Sequence, residues 1–303
     1  MSTPPVVAAV DGSDDSLRAL EWALDAAGRR QAPLHAVHVR QYAAWFQPDV
    51  LVAGPPQGDE DPVLDQARAH MAGHGPGTAG VEVRYVGLDG LPGALLPELG
   101  ATAQLLVLGS RGRGGFASLL LGSNGLAVAR DADCPVVVVP RPGRAAQGEA
   151  QAGPGPRVVV GVNVDSPDEA VLAFAFTEAA LRGARLQVLA AYPWPGQQWL
   201  MPGEIAPPVI DQDAVENETR TLVEGFLAPH RARHAEVPAD LTVAPGDAAG
   251  QLVAASQEAD LVVVGRHRRR LLAPARMLGS VTHAVLLHAV SPIAVVPPAP
   301  PEE

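Results

Sequence analysis

Residues 105–112 read LLVLGSRG and residues 261–268 read LVVVGRHR. Each is a short apolar run with no polar interruption, closed by a glycine and then by polar or charged residues. Such a run suits a strand buried on both faces, with a turn at its carboxyl end. Two further pairs of matching stretches bracket this one. VVAAVDGS from Val6 matches VVVGVNVD from Val158, and CPVVVVP from Cys134 matches SPIAVVP from Ser291. The separations within the three pairs are 152, 156 and 157 residues, a drift that a few loop insertions explain. The chain is therefore a tandem duplication.

Between the copies lies RPGRAAQGEAQAGPGPR, Arg141 to Arg157, dense in Gly, Pro, Ala and Gln and without apolar periodicity. It reads as a linker, which divides the chain into a first domain at 1–141, a linker at 142–156 and a second domain at 157–303. In the first copy the pattern predicts strands at Val6–Val10, Leu34–Val39, Val81–Val86, Leu105–Leu108 and Val136–Val139. Helices are predicted through Leu17 to Ala27 and over Val63–Met71, Gly93–Ala101 and Ser123–Arg130. Strands alternating with helices predict an α/β fold with a parallel sheet covered on both faces. The stretches 40–61 and 192–211 carry Trp and Pro without clear periodicity and are expected to be surface loops or lids.

Composition narrows the chemistry. The 303 residues hold 33 acidic and 22 basic side chains, a net charge of −11, which disfavours a general affinity for nucleic acid or an anionic membrane. All the basic residues are Arg, so a Walker A lysine, a Schiff-base lysine and a lysine general base are excluded. Cys134 is the only cysteine and has no intramolecular disulfide partner. The start MSTPPVVAAVDGS lacks the basic and long apolar regions of a signal peptide, and no stretch approaches a membrane span; a cytoplasmic location is the expectation. No GxSxG elbow is present, and the turn after the first strand reads DGSDDS rather than GxGxxG. The pairs His70/His74 and His230/His234 have i,i+4 spacing but lack the glutamate of HExxH, so exposed helix histidines are expected rather than zinc ligands.

In an open parallel sheet, ligands sit beyond the carboxyl ends of the strands, where the strand order reverses. Asp11 follows the first strand. Gly109 and Gly112 follow the fourth, and nine residues later Gly122 and Ser123 open a helix. Glycines let backbone N–H groups approach an anion, and a helix start offers unpaired N–H groups with a favourable dipole, so this spacing suits a polyphosphate. Taken singly, Ser123 also suits an ordinary N-cap, and Asp11 a turn residue before Gly12.

Gly109, Gly112, Gly122 and Ser123, with VDGS after the first strand and the CPVVVVP ending, resemble the ATP-binding pattern of the universal stress protein family. The resemblance covers nearly the whole chain as two copies. It implies two tandem open-sheet domains of the Rossmann-like, adenine nucleotide alpha hydrolase-like kind. It also implies that the last strands, Val136–Val139 and Ile293–Val296, lie at sheet edges and pair the halves into an intrachain pseudo-dimer, with a further homo-oligomer open. ATP, with Mg as a companion, is the implied cofactor. Asp11 would accept a hydrogen bond near the adenosine and Val39 would meet adenine through its backbone. Gly109 and Gly112 would line the ribose and phosphate path, and Gly122 and Ser123 would hold the phosphates. Asn124, where the family usually carries Val or Thr, still offers its backbone N–H.

The second copy departs from this pattern. Asn163 stands for Asp11, Arg268 for Gly112, and ten residues precede Gly279-Ser280; a one-residue slip would bring Asp165 to the site instead. The run Arg266 to Arg270 reads either as a solvated charge patch or as guanidinium groups replacing backbone donors. The expected role is a stress-response sensor that binds ATP in its first half. The alternatives are a slow ATPase or phosphotransferase on the same scaffold, and a dimerisation module that binds nothing.

Overall fold

The computed structural model describes residues 3–41, 61–73, 80–112, 121–141, 155–192, 211–266 and 277–299. Each half is a five-stranded parallel sheet. The first contains β1 (Val6–Ala9), β2 (Leu34–Arg40), β3 (Val83–Asp89), β4 (Leu105–Gly109) and β5 (Val136–Val139). The second contains β6 (Arg157–Val162), β7 (Arg185–Tyr192), β8 (Ala239–Pro245), β9 (Leu261–Gly265) and β10 (Ile293–Val296). The strand order is 3-2-1-4-5-10-9-6-7-8, so the two halves form one ten-stranded sheet. In each half the order reverses beside the first strand, between β1 and β4 and between β6 and β9. Those two points are where the fold leaves room for a ligand.

The halves join through β5 and β10, the one antiparallel pair among the described residues, in the register Val136↔Val295, Val137↔Ala294 and Val138↔Ile293. Every residue of both strands is buried. An unbroken apolar strand left as an open edge would expose unpaired backbone groups, and pairing removes that liability. The strands expected at sheet edges are thus edges of their own halves and the centre of the joined sheet.

Among the described residues, eight α-helices cover the faces. On one face lie α1 (Asp14–Arg30), α2 (Pro62–Ala72), α5 (Glu169–Arg182) and α6 (Gln212–Arg233), whose apolar sides share one core. On the other lie α3 (Pro92–Glu98), α4 (Ser123–Asp131), α7 (Ala248–Ala255) and α8 (Ser280–His288). Val7, Val128, Val138, Val285 and Val295 belong to that second core, to which α4 contributes beside β5 and α8 beside β10. The third strand runs from Val83 to Asp89 rather than from Val81 to Val86. Its length follows its partner, because β2 pairs with it continuously from Leu34↔Val83 to Arg40↔Asp89. The helix expected to reach Ala101 ends at Glu98 and tightens into a 3-10 turn over Leu99–Ala101. The linker residues 142–154 and most of the two expected lids lie outside the described residues.

On the α1/α5 face a buried ion cluster crosses the seam. The Glu178 carboxylate of α5 receives Arg30 of α1 and Arg182 of its own helix, and Arg182 lies 5.4 Å from the Trp22 ring centroid. Burial first, and neighbouring guanidinium groups second, lower both arginines to a pKa of about 10. A second polar cluster sits where α2 starts. Asp61 caps the helix by accepting from the N–H groups of Val63 (3.0 Å) and Leu64 (3.2 Å), and lies 2.8 Å from Nδ1 of His38 on β2. Burial pushes the Asp61 carboxyl up, but the His38 hydrogen bond, the two capping N–H groups and the charge of His38 outweigh it and hold the group below its ordinary value.

Two outcomes follow from this architecture. Val138→Lys puts a charge into the seam between Ile293 and the α4/α8 core, and is expected to cost at least about 3 kcal/mol. Amide exchange should accelerate in β5 and β10 together; protection lost in β5 alone would show that the halves do not depend on each other. Asp61 has a depressed folded-state pKa, so its stabilisation is complete above the unfolded carboxylate pKa and is lost as pH falls through the lower folded value. Asp61→Asn should therefore lower the urea midpoint at pH 7 and converge on the parent protein in strong acid. A difference that persists unchanged into strong acid would contradict this assignment.

Candidate functional site

The turn after β1 is built by Asp11-Gly12-Ser13. Gly12 takes φ +79°, a conformation that suits glycine, and Asp11 Oδ1 accepts from the N–H (3.0 Å) and the hydroxyl (2.6 Å) of Ser13. Ser13 in turn caps α1 by accepting from Ser16 N–H, and its hydroxyl reaches the carbonyl of Arg111 at 3.4 Å. The loops after β1 and β4 are thereby tied together at the switch point.

Beyond them opens a cavity of about 610 Å³. Asp11, Val39, Gly109, Gly112, Gly122, Ser123 and Asn124 all line it, so the seven residues singled out in the sequence converge on one space. His38, Gln41 and Arg111 line it as well and had no signal in the glycine spacing. Leu96, Leu108 and Val128 give it an apolar wall of the kind that accommodates a planar ring.

The glycines of the motif divide in role. A Cβ on Gly109 would lie 2.6 Å from the backbone C and O of Asp15, so this glycine exists to let the end of β4 approach α1. A Cβ on Gly112 would lie 2.5 Å from Oδ2 of Asp11, on the cavity side. At Gly122 a Cβ would meet open space among the described residues. Gly122 is also the cap position of α4, with Ser123 as the first helical residue, which corrects the reading of Ser123 as an N-cap. The cap position has no side chain to offer, so the first N–H groups of α4 are presented at the cavity with the positive end of the helix dipole. The N–H of Gly122 itself is used, donating to Ser110 O at 3.1 Å.

Beneath the cavity floor lies a network that the sequence reading missed. Asp15, fully buried on α1, receives Ser110 Oγ (3.2 Å), Arg141 Nε (3.1 Å) and the guanidinium of Arg18. It binds the residues just after β4 and β5 to the start of α1. Two acids, Asp14 and Asp15, in a helix's first turn read as dipole compensation, and nothing local announces that Asp15 has partners 95 and 126 residues away.

The second half has a smaller cavity, about 370 Å³, lined by Asn163, Gly265, Arg266, Gly279 and Ser280 at the matching positions. Asn163 Oδ1 accepts from Asp165 N–H at 3.1 Å, the same turn that Asp11 makes, so Asn163 is the true counterpart and the slip to Asp165 does not occur. Arg266 overturns the solvated-patch reading at its own position: it is 7% exposed and its Nη1 donates to the carbonyls of Arg130 (2.6 Å) and Ala132 (2.7 Å) in the first half. Residues 267–270, Arg268 included, lie outside the described residues. The histidines also differ from expectation. His230 is fully buried, stacked on Phe176 with Nε2 3.0 Å from Glu169, while His70 is half-buried and meets Glu21 at 2.6 Å; His74 lies outside the described residues. Among the described residues no group of three His, Cys, Asp or Glu side chains is placed to hold a metal, and no helix is long and apolar enough to cross a membrane.

The chain is similar to known proteins in sequence and in fold. The sequence profile described as the universal stress protein family matches twice, at residues 3–140 and 156–297. A universal stress protein of Mycobacterium tuberculosis is 34% identical over 295 residues, covering 96% of both chains. Among solved structures, a universal stress protein from Archaeoglobus fulgidus superposes with a TM-score of 0.59 at 16% identity, covering 98% of this chain and 97% of its own. A universal stress protein solved in complex with cAMP is 26% identical and covers 46% of this chain and 97% of its own, with a TM-score of 0.33.

The two glycines after β4 are separable by experiment. Gly109→Ala forces backbone apart and is expected to destabilise the fold by about 1–3 kcal/mol. Gly112→Ala meets only a side-chain carboxylate in an exposed loop and should stay within about 0.5 kcal/mol of the parent. Urea midpoints of the two variants measure this, and equal losses would refute the division of roles.

Proposed function

This chain belongs to the universal stress protein family, and from that premise we propose that its first half binds ATP and that the protein works as a nucleotide-responsive binding module. The observation that carries the reading is the convergence of Asp11, the Gly109–Gly112 turn and the unblocked N-terminus of α4 on one cavity. A nucleotide needs an apolar slot for its base, backbone donors for its phosphates and an acceptor for its sugar or base; the cavity offers all three. Val39, the last residue but one of β2, lines the cavity with the apolar wall, where a base edge would meet backbone groups. Asp11 is the one carboxylate among the described residues lining the cavity, so Mg²⁺ carried in with the phosphates would keep most of its waters.

The second half is the weaker candidate. Its cavity is smaller, Asn163 keeps the turn without the charge, and Arg266 is committed to the first half. Binding near one ATP per chain is therefore expected. Response to the nucleotide requires that ATP favour one arrangement of the protein over another through differential contacts.

Isothermal calorimetry of the full chain with ATP tests the proposal. One site per chain is expected. Gly112→Arg should abolish binding while the chain stays folded, and Asp11→Ala should weaken it 10- to 100-fold, about 1.5–3 kcal/mol. Unchanged affinity in both variants overturns the assigned site, two equal sites overturn the asymmetry, and rapid turnover of ATP in the same samples would move the protein to the enzyme reading.

A further inference from the structure

Arg266 occupies the same place in the second half that Ser110 occupies in the first. Each follows the glycine that ends its strand, and each donates its N–H to the last pairing strand, Ser110 to Val139 O (3.0 Å) and Arg266 to Val296 O (2.8 Å). Their side chains then part. Ser110 turns inward to the buried carboxylate of Asp15. The separation of 152 residues that relates Asp11 to Asn163 and the cap Gln31 to Gly183 puts Pro167 in the place of Asp15, so the second half has no buried carboxylate there. The Arg266 side chain instead crosses the β5–β10 seam and ends on the carbonyls of Arg130 and Ala132.

Those carbonyls belong to the end of α4. The last carbonyls of a helix have no partner within it, and α4 ends at Ala132 in extended backbone without the left-handed glycine that often satisfies them. A guanidinium with two short hydrogen bonds supplies what is missing, and its charge complements the negative end of the helix dipole. The opposite end of α4 presents its N–H groups to the first cavity. The helix is nine residues long, about 13 Å at 1.5 Å per residue, so a small tilt at one end moves the other by a comparable amount.

We propose that Arg266 is a positioning residue for the phosphate end of the first-half nucleotide site: the second half holds α4 by its C-terminus so that its N-terminus is aimed at the phosphates. The support runs one way, because the matching Ser110 is engaged with Asp15 in its own half. The inference rests on the reading of the first cavity as a nucleotide site, and it gives the second half a task that does not require a ligand of its own.

The test is calorimetry of the full chain with ATP and with adenosine, which shares the base and ribose but makes no use of α4's phosphate donors. In Arg266→Met, ATP should bind 5- to 20-fold more weakly while adenosine changes less than twofold. Arg266→Lys, which keeps a charge and donors but not the planar fork, should lose 2- to 5-fold for ATP alone, and carries the same test if the Met variant does not fold. Equal loss of both ligands marks a general structural defect and overturns the proposal, as does unchanged ATP affinity; in both cases the nucleotide site stands. A parent protein that binds neither ligand overturns the nucleotide reading and this inference with it.

Discussion

The antiparallel pairing of β5 with β10 governs the rest of the molecule. Both strands are wholly apolar and wholly buried, and neither has a polar residue with which to face water. Neither half can therefore close its own sheet, and a ten-stranded sheet with a pseudo-twofold at its centre is the result. That pairing brings α1 against α5 on one face and joins the cores under α4 and α8 on the other. The Arg30–Glu178–Arg182 cluster and the reach of Arg266 to α4 both exist only because the seam has this register.

The fold was legible in the sequence where information is local or repeated. Strand runs such as LLVLG and VVVV, the turn residues Asp11 to Ser13 and the duplication itself needed no knowledge of distant contacts. The candidate site was legible for the same reason, because glycine spacing after a strand states where backbone must be approached closely. What stayed hidden depended on partners far away in sequence. The end of β3 is set by β2, the role of Gly109 by the backbone of Asp15, and the burial of His230 by Phe176 packing on its ring. Arg266 looked like one of a run of solvated charges, since a single arginine carries no mark of the carbonyls it will meet.

Charge placement separates the halves more sharply than their folds do. At the start of α1 a fully buried carboxylate, Asp15, is held by a serine and two arginines, which fixes the loops that frame the larger cavity. Leaving such a carboxylate unpaired in the interior would be costly, so the loop after β4 has little freedom to drift. At the corresponding place the second half has Pro167 and no carboxylate, that constraint on the loop after β9 is gone, and a long cationic side chain there can serve the other half. Divergence of the two sites thus follows from where a single carboxylate sits.

Helix starts carry the same distinction between structure and function. Five helices begin with a side chain that accepts from their first N–H groups: Ser13 for α1, Asp61 for α2, Asp168 for α5, Asp211 for α6 and Asp247 for α7. In α3 the first helical residue is Pro92, which has no N–H to satisfy. Among the described helices only α4 and α8 start from a glycine with no side chain to cap them, and the first residues of both line the cavities at the switch points. Glycine at the cap position costs only about a few tenths of a kcal/mol against a capping side chain, but at both matching positions it leaves the first N–H groups without a side-chain acceptor, unlike the five capped helices. The cost is explained when the donors serve an anion instead, because a bound phosphate satisfies the same N–H groups and complements the same dipole. In α4 that donor set is coupled to a cationic anchor at the far end, and the helix becomes a rigid connection between the seam and the site.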